Sequence, residues 1–424
     1  MIIDRNHLIK IQVFIRFAKL IIIYTYNVNI YYMVAFNNTK IAFASKSNNE
    51  ILRAKFLFKS ISSPFIVKIG TSLVNVAVKI HFPIAWIVKP TIYAHFCGGV
   101  SIDDCKETAE TMGKYNVKSI LDYSVEGKES IDDINHALKE TLYAIENAGK
   151  DTNVPFAVFK PTAFTRHDIL IKVSANEELT DSEKQEHQDF RDRIHTLCEA
   201  AYNNNIPILI DAEDYAFQAA IDAVVEENAI KYNKERAIVY NTLQMYRWDR
   251  LDFLKKSYEK AVEGNYFLGM KFVRGAYMEK ERARAKEMGY KDPIQPNKES
   301  TDNDYNAALK FCIEHIDRIY IFNGTHNEYS SNYLAELMEE KGIARDDERT
   351  WFSQLYGMSD NISFNLGAEG YNVAKYLPYG PIKHVLPYLL RRAEENTSIE
   401  GQTGRELALI LEERNRRKAE KKAK

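Results

Sequence analysis

Residues 206–214 read Ile-Pro-Ile-Leu-Ile-Asp-Ala-Glu-Asp: an apolar run that ends on Asp211 and passes at once into Glu213 and Asp214. A short β-branched run bounded by polar residues reads as a buried strand. Seven further runs follow the same pattern: Val117–Tyr123, Phe156–Lys160, Ala237–Tyr240, Gly269–Val273, Ile319–Phe322, Trp351–Leu355 and Val373–Tyr376. Between them lie segments of helical character, among them Ser182–Asn203, Ala216–Asn228, Arg250–Glu263, Asp302–His315 and Ile382–Glu395. Strands alternating with helices specify a parallel sheet, and eight such units over roughly 280 residues match a distorted (β/α)8 TIM barrel. An open doubly wound sheet is the competing arrangement. It predicts a Gly-x-Gly-x-x-Gly loop after its first strand, and none of the runs is followed by one.

Polar groups gather where the runs end: Asp122, Lys160, Asp211, Gln244, Arg274, Thr325-His326, Gln354 and Tyr376. One such residue alone reads as a helix cap or a surface group. Repeated in phase, they converge on the carboxyl-end rim, the face where barrels carry their chemistry. Four segments result: an extension over residues 1–32, a helical arm or cap over 33–114, the barrel over 115–400, and a charged helical tail over 401–424. The extension is crowded with Ile, Tyr and Asn, has no clear period and precedes Met33. It is expected to be spurious or disordered, from a start placed upstream of Met33. A mitochondrial transit peptide is a weaker account, since the stretch has two arginines, Arg5 and Arg16, and no serine.

With 57 basic and 59 acidic residues, the net charge of −2 sets up no global field for a polyanion, so no nucleic-acid partner is expected. The one concentrated basic run, Arg414–Lys424, reads as a solvated, fraying helical end. Cys97, Cys105, Cys198 and Cys312 lack the spacing of a zinc site or a disulfide framework, so no metal is expected. A reducing compartment fits that cysteine usage.

Three local constellations carry chemistry. In Leu209–Asp214, Asp214 is placed to cap the next helix. Asp211, still within the strand pattern, needs a partner cation if buried, and Lys160 at the end of the preceding strand is the obvious one. In Gly269–Tyr277 (GMKFVRGAY), Lys271 and Val273 alternate with Phe272 and Arg274, which points Lys271 inward, while Gly275-Ala276 allows close approach of backbone to a flat or anionic ligand. In Tyr388–Asn396 (YLLRRAEEN), Arg391 and Arg392 sit late in the last helix, with Glu395 four residues after Arg391 and able to orient it. Paired guanidinium groups facing a cavity recognise a carboxylate or a phosphate, because the planar fork binds bidentately.

These residues resemble the proline dehydrogenase family. The strings LIDAED (209–214), KFVRGAY (271–277) with ERARA (281–285), THN (325–327), QLYGMSD (354–360), YLPYG (376–380) and YLLRRAEEN (388–396) occur in that family's order over roughly residues 90–400. The resemblance implies a barrel holding FAD non-covalently, with the last helix lying over the mouth. Arg391 and Arg392 would bind the substrate carboxylate with help from Lys160. Asp211 would support Lys160 and the arginines, Tyr277 and Tyr376 would wall the pocket, and Glu395 would hold Arg391. Flavin contacts fall on Ala212, Gln244, Lys271, Arg274, Gly275, Ala276, Thr325, His326 and Gln354. Catalytic roles fall on Asp211, Lys160 and Lys271. Many bacterial members carry arginine where this chain has Lys271; the mitochondrial-type members share its lysine, which keeps the charge and loses the fork.

The implied reaction is oxidation of L-proline to (S)-1-pyrroline-5-carboxylate, with hydride transfer to FAD and electrons passed to a quinone, the first step of proline catabolism to glutamate. The chain is expected to be monofunctional, without the second catalytic domain fused in some relatives. The implied address is cytoplasmic, peripheral at the inner face of the membrane, or the matrix side in a eukaryote, with the apolar helices of residues 56–90 or the basic tail as places of bilayer contact. Hydroxyproline dehydrogenase would share nearly all these motifs, and a barrel-shaped binding protein without redox activity is a further alternative. Methylenetetrahydrofolate reductase, another flavin barrel, has no need of the paired arginines.

Overall fold

Eight strands form in the computed structural model, which describes residues 33–80, 84–124, 130–398 and 402–423. They are β1 (Val117–Tyr123), β2 (Ala157–Phe159), β3 (Ile208–Ile210), β4 (Val239–Gln244), β5 (Leu268–Val273), β6 (Ile319–Gly324), β7 (Thr350–Leu355) and β8 (Val373–Tyr379). All pair in parallel, and β1 also pairs with β8 over seven residues, from Val117↔Val373 to Tyr123↔Tyr379. A bridge between Ile120 and Phe156 links β1 to β2, so the sheet closes into the expected (β/α)8 barrel rather than an open sheet.

The interior is filled by large side chains from successive strands. Ile120, Phe156, Val158, Leu209, Tyr240, Phe322 and Tyr376 form one buried cluster. Phe156 sets its ring edge-on to Tyr240, Phe322 and Trp351 at centroid distances of 5.1–5.7 Å, the favoured geometry for aromatic pairs. Around the barrel, helices turn one face inward. In Asp181–Asn203, Phe190, Ile194, Leu197, Cys198 and Ala201 recur at helical spacing on the buried side, and Thr180 with Glu183 closes a capping box at its start.

Strand β4 runs to Gln244, past the expected end at Tyr240. Its polar residues are tolerated in a buried strand because each has a partner. Asn241 donates to Asp222 at 3.0 Å, Thr242 Oγ1 to the Ile210 carbonyl at 2.7 Å, and Gln244 Nε2 to the Glu213 carbonyl at 2.6 Å.

A second apolar cluster lies outside the barrel. Helix Asn48–Ile61 contributes Ile51, Ala54, Phe58 and Ile61; helix Pro64–Lys79 adds Val67, and Ala85–Val88 adds Val88. Helix Ile382–Ser398 meets them with Val385, Leu386 and Leu389, and helix Gln402–Ala423 with Leu409 and Ile410. The tail is therefore docked over much of its length, against the expectation of a solvated end. Glu413 is fully buried between Arg416 and Arg417, and Arg417 in turn donates to the carbonyls of Phe43 and Lys46 at 2.8 and 2.9 Å. Lys418–Ala423 stays exposed. Residues 1–32 lie outside the described residues.

Candidate active site

Strand alternation decides which groups reach the mouth. On β5, Lys271 points into the barrel while Phe272, one residue on, packs outward against Tyr305. The ammonium of Lys271 donates to Asp211 Oδ1 and to the Tyr376 hydroxyl, each at 2.6 Å, and lies 4.4 Å from the centre of the Tyr376 ring. Lys271 is buried and Asp211 half-buried, so the ion pair is partly shielded from water, and the buried Tyr376 hydroxyl makes it a shared network rather than a lone contact. Burial, followed by the Asp211 carboxylate, pushes the Tyr376 phenol well above its usual range and keeps it protonated.

Where the sequence pairs Asp211 with Lys160, the structure places Lys271 against that carboxylate. Lys160 lies 3.4 Å from Asp122, whose other oxygen accepts from Ser124 Oγ at 2.6 Å. Lys160 and Asp211 follow the registered pair Phe159↔Ile210 on the neighbouring strands β2 and β3, while Lys271 reaches Asp211 across the barrel from β5. Asp214 occupies the residue before helix Tyr215–Tyr232 but makes no side-chain cap bond; its carboxylate pairs with Lys280 instead.

The rim from β3 to β7 carries the predicted flavin contacts in succession. Arg274 is gripped from three sides, by Asp302 at 2.8 Å, Thr325 Oγ1 at 2.7 Å and Ser330 Oγ at 3.0 Å, and its guanidinium lies over the Tyr305 ring. Gly275 has φ +118°, and a Cβ there would fall 2.6 Å from the Tyr246 ring, so neither the backbone nor the space admits another residue. Ala276 beside it is exposed, and Ala212 half-buried. Gln354 bridges two elements, donating to the Thr325 carbonyl at 2.9 Å and accepting from Ser363 Oγ at 2.7 Å. His326 Nδ1 meets Ser359 Oγ at 2.9 Å; burial, then the charges of Lys375, Arg392 and Arg274, lower its pKa to about 3, so the ring is neutral.

Arg391 and Arg392 both sit on helix Ile382–Ser398, Arg392 buried with its guanidinium 5.3 Å from the Tyr388 ring centre and near enough to depress His326. That places Arg392 on the mouth side of the helix. Tyr277 is half-buried at the start of helix Met278–Met288. The side chain of Glu395 lies outside the described residues.

Two groups at the rim escape sequence reasoning. Glu213 is buried and accepts from the Thr162 amide at 2.9 Å and the Thr162 hydroxyl at 2.6 Å; burial raises its pKa to about 7. Ser359 holds a left-handed backbone, φ +50°, unusual outside glycine. Its amide donates to Glu406 on the tail helix and its hydroxyl meets His326. Behind it a buried ion pair, Lys375 with Asp360 at 2.8 Å, braces the same loop, and Lys375 also donates to the Met358 carbonyl at 2.6 Å. No motif marks Glu406; only the chain fold brings it to residue 359.

Similarity to known proteins points the same way. The model of the family described as proline dehydrogenase matches residues 105–405. Proline dehydrogenase 2, mitochondrial, of Arabidopsis thaliana is 32% identical over 377 residues, covering 78% of this chain and 79% of that protein. The carbapenem antibiotics biosynthesis protein CarD of Pectobacterium carotovorum is 34% identical over 322 residues, 76% of this chain and 83% of that one. Among solved structures, proline utilization A from Bdellovibrio bacteriovorus superposes with a TM-score of 0.67 at 20% identity, over 86% of this chain and 38% of that longer one. A match across residues 105–405 takes in the whole barrel, from the helix before β1 to the one bearing Arg391 and Arg392, and so the chain belongs to the proline dehydrogenase family.

Proposed function

We propose that this chain oxidises L-proline to (S)-1-pyrroline-5-carboxylate with FAD as the hydride acceptor and a quinone as the final acceptor of the electrons. The observation that carries this is the Lys271–Asp211–Tyr376 network that joins β5, the end of β3 and β8, in a chain of this family whose helix Ile382–Ser398 bears two arginines.

The donor set suits a flavin. Lys271, Arg274, Thr325, a neutral His326 and Gln354 follow one another along the β5 to β7 rim, and Gly275 keeps the exposed backbone there free of a side chain. With Ala212, Gln244 and Ala276 these are the residues that would hold FAD. When bound, the cofactor supplies the electron sink. The protein's share is placement. Arg391 and Arg392 pair with the proline carboxylate, Lys160 adds a third cation, and Tyr277 and Tyr376 bound the pocket, so the ring carbon to be oxidised is held in one orientation. Asp211 fixes the Lys271 ammonium, which keeps a positive charge where negative charge develops in the reaction. Tyr376, held protonated, donates or packs but does not take the amine proton, which leaves to solvent. Among the described residues no helix is long and apolar enough to cross a membrane, consistent with an enzyme that meets its quinone at a membrane surface. We place it in the cytoplasm or, in a eukaryote, on the matrix side.

The test is the visible spectrum. Purified protein supplied with FAD is expected to show flavin absorption that bleaches without oxygen on adding L-proline and not D-proline, with hydroxyproline slower. A protein that binds no FAD and turns over no proline would overturn the proposal; faster turnover of hydroxyproline would reassign the substrate.

A further inference from the structure

Glu213 is a buried carboxyl group that the proposed reaction does not use. It lies just past β3, and a carboxyl withdrawn from water needs hydrogen-bond donors. The two it finds belong to one residue of a neighbouring loop, the Thr162 amide at 2.9 Å and the Thr162 hydroxyl at 2.6 Å. Its own backbone is fixed on both sides. The Glu213 amide donates to Gln218 Oε1 at 2.9 Å, and its carbonyl accepts from Gln244 Nε2 at 2.6 Å. The side chain therefore projects from a rigid base, and this one residue ties together the loops that follow β2, β3 and β4.

The segment it holds is the one that carries Lys160. β2 pairs with β3 over three residues, and a single bridge, Ile120↔Phe156, joins its other side to β1. Lys160 comes directly after this short strand and is followed by Pro161, which has no N–H to bond. The first amide after Lys160 that can anchor the chain is that of Thr162, and Glu213 takes it. At the far end of the turn Pro161–Phe164, the Phe164 carbonyl accepts from Arg193 at 2.9 Å and the Phe164 ring sets edge-on to Phe159 at 5.3 Å. The outer helix thus holds one end of the turn and Glu213 the other. Burial, opposed by the Thr162 bonds and by the nearby charge of Lys160, raises the Glu213 pKa to about 7. Protonation does not break the tether, because a hydroxyl can turn from donor to acceptor while the amide bond stays.

Taking Lys160 as a substrate cation of the proposed function, we propose that Glu213 is a positioning residue for proline: by anchoring Thr162 it fixes where the Lys160 ammonium meets the substrate carboxylate. The Lys160 side chain stays partly exposed beside Asp122, so it can meet a ligand. Its backbone, at the end of a three-residue strand, has little else to set its place. A displacement of about 1 Å at a reacting site can cost roughly 100-fold. The effect belongs to substrate binding rather than to the cofactor, since Gln244 bonds to the backbone of Glu213 and a change of side chain leaves that bond in place.

Dye-coupled kinetics of the full chain, loaded with FAD, test this. Glu213→Ala is expected to raise the Michaelis constant for L-proline at least about tenfold, with kcat and the FAD dissociation constant within about twofold of wild type. Titration with cyclopentanecarboxylate, which has a five-membered ring and a carboxylate but no nitrogen to oxidise, should show the same weakening in the flavin spectrum. Glu213→Gln offers Thr162 the donor and acceptor of the protonated acid and should bring the constant back to within about threefold of wild type. In a Lys160→Met background, Glu213→Ala should shift the constant by less than about twofold, since an effect carried by Lys160 cannot outlast it. Equal effects with and without Lys160, a Gln variant as impaired as the Ala variant, or loss of FAD in place of proline affinity would each overturn the proposal and leave Glu213 a structural brace. Should Glu213→Ala fail to fold, Thr162→Val removes one of the two bonds, keeps the amide and gives the same comparison at smaller amplitude. Wild type that turns over no proline would overturn the proposed activity and this role with it; turnover with an unchanged constant in Glu213→Ala would overturn the role alone.

Discussion

Arg392 and Lys271 show how a single cation acquires a role from its surroundings. Arg392 is buried in a helix with an aromatic ring against it, and its field reaches His326, so replacing it removes a charge that faces the mouth rather than solvent. Arg391→Met and Arg392→Met are each expected to raise the Michaelis constant for proline steeply and leave FAD bound. Losing one partner of a desolvated charge pair costs about 2–5 kcal/mol, or roughly 30-fold to several thousand-fold in kcat/KM. Steady-state kinetics check it, and wild-type constants in both variants would place the carboxylate elsewhere. At this scale the sequence is half legible. Alternation along GMKFVRGAY suffices to turn Lys271 inward, yet its bond to Asp211 is not legible, because it joins β5 to the end of β3 across the barrel, two strands away in the sheet.

Glu406 ties two elements together, the tail helix and the loop that follows β7. Burial, then the nearby charge of Asp360, raises its carboxyl from the ordinary 4.5 to about 7. A carboxyl raised in the fold favours folding in its protonated form. The stability it contributes is complete below about pH 4.5 and is lost as pH rises through 7. Glu406→Gln keeps an acceptor for the Ser359 amide and removes the titration. It should therefore unfold at a higher urea concentration than wild type at pH 8 and show no such gain at pH 4.5. The difference between the two conditions is at most about 3 kcal/mol. An identical pH profile in the two proteins would mean that the fold does not raise the Glu406 carboxyl. The strands are legible as elements because β-branched runs between polar ends leave few options, and β4 looks short in the sequence because its buried Asn241, Thr242 and Gln244 resemble loop residues without their partners. Charge alone makes the tail look solvent-facing, whereas two of its arginines hold one buried carboxylate, Glu413.

At the scale of the whole molecule, eight strand–helix units without a dinucleotide loop specify a barrel over an open sheet. What sequence could not convey is how unevenly the barrel is closed. The β1–β8 ladder runs for seven residues, but the ring is completed between β1 and β2 by the single bridge Ile120↔Phe156 and by the Ser119 amide donating to the Asn153 carbonyl at 2.8 Å. β2 and β3 are only three residues each. Free energy of opening is spread unequally through a structure and follows local bonding. Amide hydrogens of Ser119 and Ala157–Phe159 should therefore exchange faster than those of Phe352–Leu355 and Val373–Leu377, as measured by native-state exchange; uniform protection around the ring would refute this. The same seam makes the cylinder behave as a sheet with a clasp: during synthesis the β1 hydrogen bonds to β8 must wait until the last strand has emerged, so the first strand made remains without its long partner until nearly the whole barrel exists.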